Sequence, residues 1–376
     1  MKVTILTNGP GELWGWGRPV VSELRKRGHT ISLWLLPCQF SSGHEREAAS
    51  FLGVDKLEGP LGAAQLWQEI IHEKTDAIIQ LGGDIAFGLR MSKAAGVPLN
   101  IYSYRAAKKF SEVGGRLPVR QFVAYYSQIF NNISGVNVIG DLVKDSLTMD
   151  FTPSGDLQWD WPKLENSPRI LFLPGSRPSI RKAALEWLSE LHFHLKKKIP
   201  EVRVRTLFSQ FMPESEFNKW RRVGLEPVHC GAGVAMKNAD YALTSPGTNN
   251  FELMHTGLPG LVIAPEKFLN LIPVEGALGL LVNLPLIGMK LRRIGVNKVL
   301  KRWNGFISLP NRTANKKILN ELYGDVTPED AANEIFNDLS NPEKLNSTRE
   351  ELLKMSGSSG AASRLCDYVV GGRINE

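Results

Sequence analysis

Short apolar runs alternate with longer amphipathic stretches through the first part of the chain. Val3–Leu6 predicts a strand, a Gly-rich turn follows, and the pattern over Arg18–Arg27 predicts a helix stopped by Gly28. Thr30–Leu36, Ala77–Leu81, Leu99–Tyr102 and Val136–Ile139 predict further strands, with a helix running from Gly82-Gly-Asp84 to Ala95-Gly96. Strands alternating with helices imply a parallel sheet covered on both faces. Across Asp150–Ser167 the periodicity lapses and Pro, Trp and acidic residues gather, which reads as a linker. The alternation then restarts. Strands are predicted at Arg169–Leu173, Val202–Leu207, Tyr241–Leu243 and Gly260–Ile263, and helices at Lys182–Lys198 and Phe251–Thr256. The tail, about Thr327–Val370, reads as helical; Thr327-Pro-Glu-Asp330 supplies a cap, a Pro at the first helical position and acids in the first turn.

The predicted class is thus α/β, with two doubly wound Rossmann-like domains facing a cleft. Residues 1–150 form the first, 151–167 the linker and 168–353 the second, and a C-terminal helix over 354–376 packs back on the first domain. A chain of 376 residues is long for one core, which agrees with two domains. In doubly wound sheets ligands bind outside the carboxyl ends of the strands. All the Gly-rich turns fall at such ends.

One segment breaks the rhythm. Leu271–Met289 is strongly apolar, and Lys290-Leu-Arg-Arg293, Lys298, Lys301, Arg302 and Trp303 follow it. A membrane span needs about 20 apolar residues, and Pro273, Glu275, Asn283 and Pro285 interrupt this one. Two readings fit: an interfacial apolar element with a basic flank, or a buried helix pair capped by solvated charges.

Composition narrows the field only a little. Apolar residues make up 43% and charged residues 22%, an ordinary globular mixture. Lys plus Arg is 45 against 38 acids, a net +7 that attracts anionic nucleotides, nucleic acid or acidic lipid without choosing among them. Cys38, Cys230 and Cys366 are far apart and form no CxxC pair, so neither a disulfide framework nor a zinc site is expected. The seven His residues make no HxxxH pair, and no metal site is expected. The first residues lack a signal-peptide pattern, in keeping with a reducing cytoplasm.

The candidate chemistry sits at the turns. Thr244-Ser-Pro-Gly-Thr-Asn-Asn-Phe-Glu252 runs from a strand into a helix, and fresh helix N–H groups at such a junction bind anions. Ser245, Gly247, Thr248 and Asn249 would face phosphates, and Glu252 would take a ribose diol. Leu173-Pro-Gly-Ser-Arg177 is a second turn of this kind; Gly175 and Ser176 offer backbone and hydroxyl donors, and Arg177 offers a fork matched to phosphate oxygens. The plain alternative for each is a capped helix start, which two such turns in one half make less attractive. In the first half, Asn8-Gly-Pro-Gly-Glu-Leu13 is not GxGxxG, which argues against a nicotinamide enzyme. Glu12 is either a cleft carboxylate or an acid favouring a helix N-terminus. Asp84 is either a general base or a helix N-cap.

Together these motifs resemble lipid-A-disaccharide synthase, a glycosyltransferase family of the GT-B fold. Leu173-Pro-Gly-Ser-Arg177 is the same as the family's motif, and Ser245-Pro-Gly-Thr248 with Glu252 and Gly257-Leu-Pro259 is similar to its Ser-Gly-Thr-x-x-Leu-Glu block. Leu309-Pro-Asn311, Leu319-Asn-Glu-Leu322, Thr327-Pro-Glu329 and Gly360-Ala-Ala-Ser363 resemble further family runs. Before residue 168 the likeness is looser: Gly11-Glu-Leu13 has Glu where the family has Asp, Asp84 is displaced by one, and Asp141 stands where the family has His.

The resemblance implies inverting transfer of a diacylglucosamine unit from a UDP-sugar to a lipid-linked sugar, 2,3-diacylglucosamine 1-phosphate, with release of UDP. It implies no cofactor, since the UDP-sugar is a substrate, and no nucleic-acid partner. It places Glu12 and Asp84 as candidate bases, Asn311 and Glu321 on the donor side, and Asn8, Gly11 and Asp141 on the acceptor side. It also implies a cytoplasmic protein, peripheral at the inner face of the cytoplasmic membrane through Leu271–Trp303. The rivals are a glycosyltransferase with another acceptor, a UDP-sugar epimerase of the same fold, and a non-catalytic sugar-nucleotide binder.

Overall fold

The computed structural model describes residues 1–38, 41, 43–104, 117–124, 136–149, 161–175, 177–209, 212–269 and 305–371. Ser176, most of the 151–167 linker and the whole of Leu271–Trp303 with its basic flank lie outside the described residues. The chain divides into two compact units, Met1–Met149 with Gly357–Glu376, and Asp150–Ser356.

Unit 1 is built on one parallel sheet. Its strands are β1 (Lys2–Thr7), β2 (Thr30–Leu35), β3 (Lys56–Glu58), β4 (Ala77–Leu81), β5 (Leu99–Ser103), β6 (Val119–Val123) and β7 (Val136–Val138). They lie in the order β3-β2-β1-β4-β5-β6-β7. β1 pairs with β2 on one side (Ile5 opposite Leu33) and with β4 on the other (Ile5 opposite Ile79). These central strands are apolar at nearly every position because helices cover both faces; Val3, Ile5, Leu6, Ile31, Leu33, Ile78 and Ile79 are fully buried. The helix Ala361–Val370 belongs to this unit and packs on helix α1 (Arg18–Lys26). Arg27 donates to Asp367 and Ser363, and Asp145 accepts from the N–H groups of Gly360 and Ala362 at the start of the C-terminal helix.

Unit 2 repeats the plan. β8 (Arg169–Leu173), β9 (Arg203–Phe208), β10 (Pro227–His229), β11 (Tyr241–Thr244), β12 (Gly260–Pro265) and β13 (Asn320–Gly324) lie in the order β10-β9-β8-β11-β12-β13, again all parallel. The long helix α2 (Pro178–Lys198) lays Trp187, Leu188, Leu191 and Leu195 on a core shared with Phe172, Phe208 and Trp220. The helical tail is three helices, Pro328–Leu339, Pro342–Met355 and Ala361–Val370, rather than one run. The expected capping box is present: Thr327 Oγ1 accepts from Asp330 N, and Asp330 accepts from Thr327 N.

Each sheet grows outward in both directions from its first strand. The order therefore reverses between β1 and β4 in unit 1 and between β8 and β11 in unit 2. These are the topological switch points, where the turns leaving adjacent strands part and leave a crevice at the carboxyl ends.

Candidate functional site

In unit 2 both candidate turns leave the switch-point strands. β8 and β11 pair in parallel with Leu173 opposite Thr244, so Leu173–Arg177 and Ser245–Glu252 emerge side by side. Gly175 has φ +86°, a conformation that favours glycine. A Cβ built there would lie 3.9 Å from Ser245 Oγ, so the two turns approach closely. Arg177 occupies the N-cap position of α2.

The second turn is held by a residue the sequence reading passed over. Asn250 is fully buried; its Nδ2 donates to Ser245 O at 3.0 Å, and its Oδ1 accepts from Gly247 N at 3.4 Å. It pins both ends of the Ser-Pro-Gly loop from beneath. Thr248 is the N-cap of helix α3 (Asn249–Thr256), but its side chain makes no cap hydrogen bond. Asn249 Nδ2 donates to Glu252 Oε2 at 2.8 Å, so these two predicted residues form one partly exposed polar pair.

Asn311 and Glu321 also meet, but in a different manner. Asn311 is fully buried; Nδ2 donates to Leu319 O and Glu321 Oε1, and Oδ1 accepts from the N–H groups of Ile318 and Leu319. Glu321 accepts further from Ile307 N and Ser308 N. The Asn311 amide has used all its donors and acceptors inside the unit. Together the two residues act on the backbone of 307–308 and 318–319, fixing the entry to the short helix Leu309–Ala314.

In unit 1 the candidates converge on the β1–β4 switch. The chain after β1 makes a helical turn over Pro10–Glu12, containing Gly11, and then a π-helix over Leu13–Gly17. Glu12 folds back: a Cβ on Gly9 would meet Glu12 Oε2 at 2.5 Å. On the β4 side Gly82 has φ +98°, and a Cβ there would meet Asn8 Oδ1 at 2.7 Å and Glu12 Cγ at 3.1 Å. The Gly82-Gly83 turn is thus the wall against which Asn8 and Glu12 pack. Asn8 Oδ1 is buried with no hydrogen-bond partner. Asp84 is exposed and serves as N-cap of the helix Ile85–Ala95, accepting from Ala86 N at 2.9 Å.

Asp141 joins the same end of the sheet through aromatic residues. It is buried, caps the helix Leu142–Thr148 by accepting from Val143 N at 3.0 Å, and accepts from the Tyr102 hydroxyl at 3.3 Å. Trp16 Nε1 donates to the Tyr104 hydroxyl at 3.2 Å, and Trp16 meets the rings of Tyr102 and Tyr104 edge-on with centroids 5.2 and 5.0 Å away. Burial, and after it the charge of Asp141, push both phenols well above their ordinary range, so both remain protonated donors. The sequence reading did not single out Trp16, Tyr102 or Tyr104. Aromatics within an apolar strand and beside a first loop look like core, and only the strand order brings them to one crevice.

Among the described residues no cluster of His, Cys, Asp and Glu is placed to hold a metal ion, and no helix is long and apolar enough to cross a membrane.

Solved structures share this architecture along its whole length. A complex of S. aureus MnaA with UDP is 16% identical, with a TM-score of 0.57 over 98% of this chain and 96% of that one. A putative UDP-N-acetylglucosamine 2-epimerase from Listeria monocytogenes is 12% identical, with a TM-score of 0.58 over 98% and 96%. CalG4, the calicheamicin glycosyltransferase, is 12% identical, with a TM-score of 0.55 over 99% of both chains. The fold is GT-B. At these identities the likeness establishes the architecture. No protein-family model matches the chain, and no curated protein sequence matches it.

Proposed function

We propose that this GT-B protein is an inverting, UDP-sugar-dependent glycosyltransferase resembling lipid-A-disaccharide synthase, and that it moves a diacylglucosamine unit onto a lipid-linked sugar. The observation that carries the reading is the approach of Gly175 to Ser245 at the β8–β11 switch point. Two N–H-rich turns opening two helices at one crevice suit a diphosphate better than a single phosphate. Solved structures of the same fold include one with UDP and one with thymidine diphosphate bound, which agrees with a nucleoside diphosphate.

In this reading Gly175, Ser176, Arg177, Ser245, Gly247 and Thr248 hold the diphosphate, and the Asn249–Glu252 pair takes the uridine ribose. Asn311 and Glu321 act one step back, by fixing the backbone at 307–308 and 318–319. The acceptor hydroxyl attacks the anomeric carbon of the donor sugar. The bond from that carbon to the diphosphate oxygen breaks, and UDP leaves with the electron pair. Arg177 and the helix N-termini stabilise the charge that develops on it. Glu12 takes the hydroxyl proton. We place Glu12 ahead of Asp84 because Asp84 already caps a helix on the exposed side of its turn, whereas Glu12 is walled in by Gly9 and Gly82. Asn8, Gly11 and Asp141 lie on the acceptor side. The sequence of Leu271–Trp303 adds a lipid-facing element, and with it a cytoplasmic protein peripheral at the membrane.

The test is product mass spectrometry with UDP-2,3-diacylglucosamine and 2,3-diacylglucosamine 1-phosphate, beside UDP-N-acetylglucosamine alone. The reading expects a disaccharide lipid and UDP in the first reaction and unchanged donor in the second. Conversion of UDP-N-acetylglucosamine to its C2 epimer without an acceptor would put the epimerase reading in its place.

A further inference from the structure

Strand β4 carries one residue that its position in the sheet does not call for. β4 lies between β1 and β5, and its Ile78, Ile79 and Leu81 are fully buried. Gln80 stands among them at 2% exposure, opposite Leu6 on β1 and Ile101 on β5. Burying an amide in such surroundings is unfavourable unless its polar atoms find partners. Gln80 Nε2 spends both hydrogens on the turn that leaves the strand, donating to Gly82 O at 3.1 Å and to Asp84 O at 3.0 Å. Its Oε1 is buried with no hydrogen-bond partner. The two carbonyls fix which way the amide points, since the reverse orientation would set oxygen against oxygen.

The room for this amide comes from the helix Ile85–Ala95. A Cβ on Gly88 of that helix would collide with Gln80 Oε1 and lie 2.9 Å from Leu99 Cδ1. Glycine inside a helix is unfavourable on its own, and here the space it leaves is taken by the glutamine. The turn above needs such a support. Gly82 has φ +98° and Gly83 φ +77°, and two successive glycines have much conformational freedom to lose. The Gln80 bonds bracket Gly83 on both sides. The turn in turn bears on the first loop: a Cβ on Gly82 would lie 2.7 Å from Asn8 Oδ1 and 3.1 Å from Glu12 Cγ, and one on Gly83 would lie 3.5 Å from Asn8 Cβ.

We infer that Gln80 is a positioning residue for the reaction: its amide clamps the Gly82-Gly83-Asp84 turn from beneath, and the turn sets the Asn8–Glu12 segment. The inference rests on the glycosyltransferase reading in which Glu12 is the base. Gln80 touches neither substrate nor base. It acts through the turn, where a displacement of about 1 Å is enough to lower a rate a hundredfold.

The experiment compares Gln80→Leu with Asn100→Leu. Asn100 is a second buried amide of the same sheet, donating to Ile78 O within the strands and away from the turn. Turnover is measured with UDP-2,3-diacylglucosamine and 2,3-diacylglucosamine 1-phosphate, and hydrogen–deuterium exchange is read at 82–86. The inference expects Gln80→Leu to lower kcat roughly tenfold or more with donor KM within about twofold, and to speed exchange at 82–86. Asn100→Leu keeps kcat within about twofold. Gln80→Glu carries the same test should the leucine variant not fold. Burial and the two facing carbonyls favour its neutral form, which still donates one hydrogen to the turn, whereas the ionised form donates none. Its kcat relative to wild type therefore rises as pH falls from about 8 to about 6. Undiminished kcat in Gln80→Leu, unchanged exchange at 82–86, an equal loss of kcat in Asn100→Leu, or a flat ratio in Gln80→Glu overturns the inference and leaves the glycosyltransferase reading standing. Absence of any disaccharide product from wild type removes that reading, and this inference with it.

Discussion

The two switch points are built from the same topology and furnished in opposite ways. At β8–β11 the crevice is lined by backbone: Gly175 in a left-handed conformation, the Ser245–Thr248 loop, and a buried Asn250 that shapes the loop from below. At β1–β4 it is lined by side chains: Glu12, Asn8, the Trp16–Tyr102–Tyr104 group and a buried Asp141. A diphosphate is the same in every nucleoside diphosphate, and N–H groups at helix starts recognise it without side-chain variety. An acceptor is particular, and particularity needs oriented hydroxyls, carboxylates and aromatic faces. The difference accounts for where the resemblance to lipid-A-disaccharide synthase is tight and where it loosens.

Substitutions on each side should break this comparison unequally. The largest effect is expected at Glu12. Glu12→Gln removes the proposed base while keeping its shape, and kcat should fall about 10²–10⁴-fold, with UDP affinity by calorimetry within twofold. A loss of UDP binding of similar size would erase the distinction between the halves. Next is Asn250→Ala, which leaves the Ser245 carbonyl without its buried donor. It should reduce stability by about 1–3 kcal/mol in urea titration and weaken UDP roughly tenfold, without changing affinity for glucosamine 1-phosphate.

A third test uses the opposite end of the β8–β11 strand pair as a control. There Arg169 donates through its backbone N–H, Nε and Nη2 to Asp240, in a pair remote from the turns. Burial alone would raise the Asp240 pKa, but the Arg169 hydrogen bonds outweigh it and hold the carboxylate below its ordinary value. A depressed folded pKa means that the unfolded chain binds the proton more readily. The stabilisation is therefore complete above the unfolded pKa of about 3.9 and is lost as pH falls through the folded value. Asp240→Asn should lower stability by about 1.5–3 kcal/mol at pH 7, the gap closing below about pH 4, with UDP affinity unchanged. The smallest effect is expected at Asp367, half exposed, where Asp367→Asn should change stability by less than about 1 kcal/mol even though Arg27 pairs with it.

Much of the architecture was legible because the central strands are continuous apolar runs. Val3–Leu6, Ala77–Leu81, Arg169–Leu173 and Tyr241–Leu243 announce themselves, and all carry a turn with a candidate residue. The strands that escaped are short or polar. Lys56-Leu-Glu58 and Pro227-Val-His229 are three-residue edge strands with no room for a period. Asn320–Gly324 is an edge strand whose Glu321 accepts from the backbone of Ile307 and Ser308, ahead of the helix Leu309–Ala314. Within the turns, Asn249 and Asn250 are indistinguishable as letters, and only the path of the helix sends one outward to Glu252 and the other under the loop. Asn311 looked like a ligand contact because it lies in a family-like run, whereas its amide is consumed by Leu319, Ile318 and Glu321. Tyr104 was hidden for another reason: its neighbour Trp16 is 88 residues away in sequence, and only the β1-β4-β5 order brings them together.

The claim that the nucleoside diphosphate sits on the backbone-built crevice can be read directly by hydrogen–deuterium exchange with and without UDP. The account predicts slower exchange at 174–177 and 245–250 when UDP is present, and no change at 8–13 or 82–86. Protection at the β1–β4 turns with none at the β8–β11 turns would contradict it.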